Sequence, residues 1–226
     1  MDSEIVDRIP MLKNSRNFLG CEFLLANESP PVVMIRGLLT PWECEHLIKL
    51  AGPKLEPSTM IVKGKEVVDP NRSSRSAFLT KNGLQNEDPV INRLFNKISK
   101  MIDVPISHFE GLKVVNYRKG EQYVGHRDYF GKGTSFVKTN GDRMYTFFMY
   151  LNDLGEDEGG ATAFPNIGIK IRPEAGTAMF WVNIDHKGHY YEHEVFHAGE
   201  PITGDTEKWG VNLWIREKSY PGTSEN

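Results

Sequence analysis

Two short stretches of this chain carry side chains that could hold a metal ion. The first, residues 123–130, contains His126-Arg127-Asp128, an H-x-D. In extended chain, residues i and i+2 point the same way, so His126 and Asp128 could bind one ion together. A distant second His would complete a two-His-one-carboxylate face, which suits Fe(II) and leaves coordination positions open. The second stretch, His193-Glu194-Val195-Phe196-His197, spells H-E-x-x-H. As a zinc-protease site it would need a helix with both His on one face and the Glu as general base. Gly188, Tyr190 and Tyr191 precede it and Gly199 and Pro201 follow, a poor setting for a helix. Glu200 stands where the metzincin extension requires Gly. Glu217, a conceivable third ligand, follows a strand-like run. On a strand, His193 and His197 would share a face but lie roughly 13 Å apart, too far for one ion.

Strands are what the H-x-D reading needs, and the second half of the chain is rich in them. From about residue 106, β-prone runs alternate with Gly, Asn and Asp turns, at 111–117, 144–152, 161–165, 168–171, 177–183, 193–199 and 209–217. Many short strands at close spacing predict a sandwich, barrel or jelly roll. Ahead of them, residues 30–39 read as a short strand and a turn. Thr40, Pro41 and Glu43 then form a capping-box start to a helix with Trp42, Leu47, Ile48 and Leu50 as its apolar side, ended by Gly52-Pro53. Two short β-like runs flank Lys63-Gly64-Lys65, and the polar piece 69–76 reads as a loop. A second helix is expected over 87–102 from Val90, Ile91, Leu94, Phe95, Ile98, Met101 and Ile102 at helical spacing. The fold class is therefore α+β. Residues 1–30 read as a leading arm, 31–218 as a single domain with its β core over 106–218, and 219–226 as a tail.

The 226 residues carry a formal net charge of −3, which gives no general affinity for nucleic acid or an anionic membrane. Hydrophobic residues make up 39% and charged residues 25%, as in a soluble globular chain. Cys21 and Cys44 are too few for a disulfide scaffold; they read as free buried thiols, with a single pairing of the two as the alternative. Neither a signal peptide nor a membrane-spanning run is seen, so a cytoplasmic or otherwise soluble intracellular protein is expected.

Across roughly residues 31–218 the sequence resembles the 2-oxoglutarate- and Fe(II)-dependent prolyl 4-hydroxylases. The matching motifs occur in order at 44–48, 117–130, 143–153, 158–165, 175–181, 197–209 and 213–217. The resemblance implies a double-stranded β-helix, a jelly-roll form, with the helices packed outside. It implies Fe(II) on His126, Asp128 and His197, with Lys208 pairing with the far carboxylate of 2-oxoglutarate and Tyr117 and Thr162 assisting. It further implies peptide contacts at Tyr123, Arg143, Trp214 and Arg216, and a lid over 63–76. The reaction implied is hydroxylation of peptidyl proline at C4 with O2 and 2-oxoglutarate, giving succinate and CO2, with ascorbate as reductant. The substrate implied is a proline-rich or collagen-like peptide. Two departures stand out: Arg216 where the family often has His, and Glu200 where Cys is usual. An intact Asp128 argues against halogenation, which needs that position vacant. Another 2-oxoglutarate oxygenase with a different substrate, and a non-catalytic jelly-roll binding module, are the alternatives, because fold alone does not fix function.

Overall fold

Residues 143–150, Arg-Met-Tyr-Thr-Phe-Phe-Met-Tyr, form a strand whose last six side chains are all buried. A strand covered on both faces must lie inside a sheet that is itself sandwiched. The computed structural model, which describes residues 8–13, 17–62, 65–81 and 87–220, has this arrangement. In chain order the strands are β1 (Asn17–Phe18), β2 (Cys21–Glu28), β3 (Pro31–Arg36), β4 (Glu56–Pro57), β5 (Thr59–Val62), β6 (Lys65–Val68), β7 (Arg75–Phe78) and β8 (Lys113–Tyr117). They continue with β9 (Tyr123–His126), β10 (Arg143–Tyr150), β11 (Thr162–Phe164), β12 (Ile169–Ile171), β13 (Ala178–Val182), β14 (His197–Gly199) and β15 (Lys208–Arg216). The helices are α1 (Pro10–Lys13), α2 (Pro41–Ala51), α3 (Pro89–Ile102) and α4 (Ser135–Asn140).

A nine-stranded sheet runs β1-β2-β3-β13-β10-β15-β8-β7-β4, and a four-stranded sheet runs β12-β11-β14-β9. Every pairing in both is antiparallel. One cavity draws its walls from both, taking Lys208, Phe148 and Trp181 from the larger sheet and His126, Thr162 and His197 from the smaller. The two sheets thus face each other across the site, as in a jelly roll.

Helix α2 starts as expected: Glu43 N donates to Thr40 Oγ1 at 3.3 Å and Thr40 N donates to Glu43 Oε2 at 2.8 Å. Its buried face is Cys44, Leu47 and Ala51, and it packs on β7 and β8. Trp42, expected on that face, is 63% exposed and stacks on His46 instead. One helical turn separates Trp42 from His46, so the pair lies on the outer side. Helix α3 is capped by Asp88, and all seven apolar residues named for it are buried. Cys21 and Cys44 are both free and buried.

The leading segment is not a loose arm. Strand β2 pairs along β3, and Ile9, Met11, Cys21 and Phe23 are buried in the core. Cys21 and Phe23 alternate with exposed Glu22, a strand pattern too short to stand out against its polar surroundings. The larger sheet therefore includes strands from well before residue 106. The two β-like runs at 59–68 form the β5–β6 hairpin; the Lys63-Gly64 turn lies outside the described residues.

Candidate active site

Strand β14 pairs antiparallel with β9 so that His197 sits directly opposite His126. Residues in direct register share a face, which brings the two rings to 4.2 Å between centroids. The chain leaves β9 after His126 and carries Asp128 back to the same point. Its Oδ1 is 3.6 Å from His126 Nε2, and its Oδ2 is 3.9 Å from His197 Nε2. One ligand atom from each of the three residues can be chosen so that all lie within 4.8 Å of one another.

The remaining atoms of these side chains are held. His126 Nδ1 is 2.9 Å from the Val124 carbonyl, and His197 Nδ1 is 2.9 Å from the Val195 carbonyl. A carbonyl can only accept, so each Nδ1 carries the proton and each Nε2 keeps its lone pair for the centre. Asp128 Oδ2 accepts from Thr146 Oγ1 at 2.8 Å. Thr146 Oγ1 accepts from Asn183 Nδ2 at 2.9 Å, and Asn183 Oδ1 accepts from Trp181 Nε1 at 2.9 Å. This buried polar chain was not foreseen. The signal for it was a lone Thr and a lone Asn at the apolar cores of β10 and the end of β13. Burial alone would raise the Asp128 carboxyl, but His197, His126 and Arg143 beside it hold it well below the usual carboxylate range. Burial, with His126 adding to it, pushes His197 down to about 4. The set therefore offers two imidazole nitrogens and one ionised carboxylate, a donor set that fits Fe(II).

Tyr117, Thr162 and Lys208 line the same cavity as the triad. Lys208 on β15 faces Tyr117 on β8 in direct register, so both point inward. Its Nζ donates to the Gly160 carbonyl at 2.6 Å, and the rings of Tyr117, Phe148 and Tyr150 surround it at 5.1–5.6 Å. No carboxylate among the described residues forms an ion pair with it. Desolvation pushes this amine down to about 7, with Glu200 opposing. A buried ammonium without a counter-charge is costly, and an incoming carboxylate would relieve it. Thr162 Oγ1 accepts from Tyr150 OH at 2.8 Å, and burial raises both tyrosines.

Of the four expected peptide contacts, Tyr123 and Trp214 line both this cavity and a second one beside it, and Arg143 lines the second. Tyr123 stacks on His126 at 3.6 Å. Arg143 forks onto Glu110 with two bonds of 2.7 Å, donates to the Asp128 carbonyl at 3.1 Å, and lies 3.7 Å over the Trp214 ring. Arg216 does not reach a peptide surface; it is 1% exposed. Its guanidinium donates to Glu110 at 2.8 Å and to the carbonyls of Asn140 and Gly141 at 3.2 and 2.5 Å. It therefore closes the C-terminal end of α4, whose last carbonyls have no partner within the helix. Glu110 was missed as well, since its partners are at least 33 residues away in sequence. His193 lies on an exposed turn rather than on the strand that delivers His197, and takes no part in the triad. Segment 71–74, expected as part of a lid, lies along β9: Val124 N donates to the Asn71 carbonyl at 3.0 Å and Arg72 bridges to Tyr123.

The model of the 2OG-Fe(II) oxygenase superfamily matches residues 112–216. A protein of Acanthamoeba polyphaga mimivirus, provisionally named as a prolyl 4-hydroxylase, is 32% identical over 218 residues, covering 92% of this chain and 84% of that one. Prolyl 4-hydroxylase 1 of Arabidopsis thaliana is 32% identical over 206 residues, covering 84% and 70%. Against the alpha-1 subunit of human prolyl 4-hydroxylase the identity is also 32%, but the match spans only 35% of that longer subunit. Among solved structures, the viral collagen prolyl hydroxylase of Paramecium bursaria Chlorella virus-1, in its 2OG complex, superposes with a TM-score of 0.64 at 27% identity. That match covers 82% of this chain and 95% of that one. No described helix is long and apolar enough to cross a membrane. A His-Asp-His set in a jelly roll, with these relatives over most of its length, places the chain in the prolyl 4-hydroxylase family of Fe(II)- and 2-oxoglutarate-dependent oxygenases.

Proposed function

We propose that this protein hydroxylates C4 of peptidyl proline with O2 and 2-oxoglutarate, releasing succinate and CO2, and that proline-rich or collagen-like chains are its substrates. His126, Asp128 and His197 are the iron ligands and Lys208 is the co-substrate anchor. The observation that carries this reading is the sharing of one cavity by a preset two-His-one-Asp face and a buried, uncompensated ammonium. When bound, iron supplies the oxidative chemistry that couples decarboxylation of 2-oxoglutarate to insertion of oxygen into a C–H bond. The chain supplies position. Lys208 receives the far carboxylate with help from Tyr117 and Thr162, which sets the depth at which the co-substrate stops. The Val124 and Val195 carbonyls fix both imidazoles, and Thr146 fixes Asp128, so the ligands need no reorganisation on loading. Trp181, Phe164 and Tyr123 pack on the imidazoles and keep bulk water away.

The test is turnover of a proline-rich peptide with Fe(II), labelled 2-oxoglutarate and ascorbate. Peptide-stimulated CO2 release and 4-hydroxyproline by mass spectrometry are expected. The His126→Ala and His197→Ala variants should be inactive while His193→Ala keeps most activity. Release of CO2 without hydroxyproline on any proline peptide would point to a different substrate, and a dead, folded His193→Ala would overturn the ligand assignment.

A further inference from the structure

The second cavity, about 240 Å³, adjoins the triad through Tyr123 and Trp214. Four cationic side chains line it: Arg72, Lys113, Arg127 and Arg143. No acidic residue is among its described walls. The carboxylate of Glu110, set behind Arg143, is shared with Arg216, and Asp128 of the triad is the other carboxylate that acts on Arg143. The charged side chains on the described walls are thus all cationic, in a chain whose formal net charge is −3. A cleft lined by one sign of charge concentrates that potential and selects ligands of the other sign.

A separate observation points to a missing acceptor. Among the described residues Arg72 Nε, Arg75 Nε and Trp214 Nε1 are buried donors without a hydrogen-bond partner, and Arg72 and Trp214 are 6% and 5% exposed. Both belong to walls of this cavity. Orphaned buried donors are rare because each forfeits its hydration, so they mark places where a ligand oxygen belongs. Tyr129, Phe130 and Trp214 add aromatic wall on which apolar parts of a peptide can rest.

Resting on the prolyl-hydroxylase reading, we propose that this cavity selects proline peptides that carry Asp or Glu next to the target proline. The proline sits over the triad, and a flanking carboxylate enters among Arg72, Arg127 and Arg143 and accepts from the unpartnered donors. Chains with Lys or Arg at the same positions are disfavoured by like-charge repulsion.

The experiment uses the whole protein and three peptides of equal length that differ only beside a single proline, carrying Glu, Gln or Lys. At low ionic strength kcat/KM should fall in the order Glu, Gln, Lys, with the Glu peptide ahead of the Lys peptide by about tenfold or more. The spread should narrow as salt shortens the Debye length from about 30 Å at 0.01 M to about 10 Å at 0.1 M. The exposed Arg127, changed as Arg127→Glu, should shrink the Glu-to-Lys ratio. Fluorescence anisotropy of the same labelled peptides reads the preference without turnover. Absence of hydroxyproline from all three peptides, with Glu still bound best, would remove the reaction and uphold the groove. Equal handling of Glu and Gln peptides, a preference for Lys, or an Arg127→Glu ratio like the wild type's would overturn the proposal.

Discussion

On the proposed assignment, Lys208 sets the pH dependence of co-substrate binding. In the free protein burial holds its amine at about 7, so above that pH it is mostly neutral. The far carboxylate of 2-oxoglutarate favours the charged form and raises the pKa on binding. The sign follows: between the free and the bound pKa, binding takes up a proton, and affinity falls as pH rises. Below about pH 7 the amine is charged in both states and affinity is flat. Calorimetry of 2-oxoglutarate binding to the metal-loaded protein without O2, in two pH 8 buffers of different ionisation heat, should show uptake approaching one proton. The dissociation constant should rise by up to tenfold per pH unit above 7. In Lys208→Ala both effects should vanish and the co-substrate requirement should climb; a pH-independent dissociation constant between 7 and 9 in the wild type would sink the assignment. Lys208 was legible from the sequence because it stands eleven residues past His197, one more than the family pattern, a one-residue insertion in the turn before it. Thr146 and Asn183 were not, since nothing in a run of letters says which buried polar residue faces Asp128.

Strand β15 works as a ruler. Its even-numbered residues, Lys208, Asn212 and Trp214, line the triad cavity, while Val211, Leu213 and Ile215 on the other face fill the core. Gly210 sits on the cavity-side set because a Cβ there would run into the Phe148 ring. With about 3.3 Å per residue, the strand spans roughly 20 Å from the co-substrate anchor to Trp214 at the second cavity. Arg216 is the next even position, and its role was illegible because it depends on the return of a segment 76 residues away. The Arg at this position reaches the carbonyls of Asn140 and Gly141. The Arg216→Lys variant keeps the charge but cannot fork between Glu110 and two carbonyls. It should lose about 2 kcal/mol of stability in urea denaturation. It should also raise the KM for peptide and leave the KM for 2-oxoglutarate unchanged, because Glu110 carries the change to Arg143 and not to Lys208. Equal shifts in both KM values would mean that Arg216 supports the fold generally rather than the peptide wall.

Across the whole molecule, the site joins parts that the sequence keeps far apart. Both imidazoles come from the four-stranded sheet and the co-substrate anchor from the nine-stranded one. The β-rich texture after residue 106 made the jelly roll legible. The sheet's outer strands β1 and β2 were not, because β1 is two residues long and the buried alternation in β2 is short. Metal and co-substrate therefore have different structural reach. On the proposed assignment, a divalent ion would tie β9 to β14 within one sheet, and 2-oxoglutarate anchored at Lys208 would tie the two sheets together. A ligand at 100 times its dissociation constant stabilises the folded state by about 2.7 kcal/mol, which for a chain of this size raises Tm by about 5–10 °C. Under nitrogen, Mn(II) alone should give part of that rise, 2-oxoglutarate alone almost none, and the two together more than the sum. Lys208→Ala should keep the Mn(II) increment and lose the extra one, and Asp128→Ala should lose both. Scanning calorimetry of the three proteins with each ligand combination decides it, and additive increments in the wild type would show that the co-substrate does not bridge the sheets.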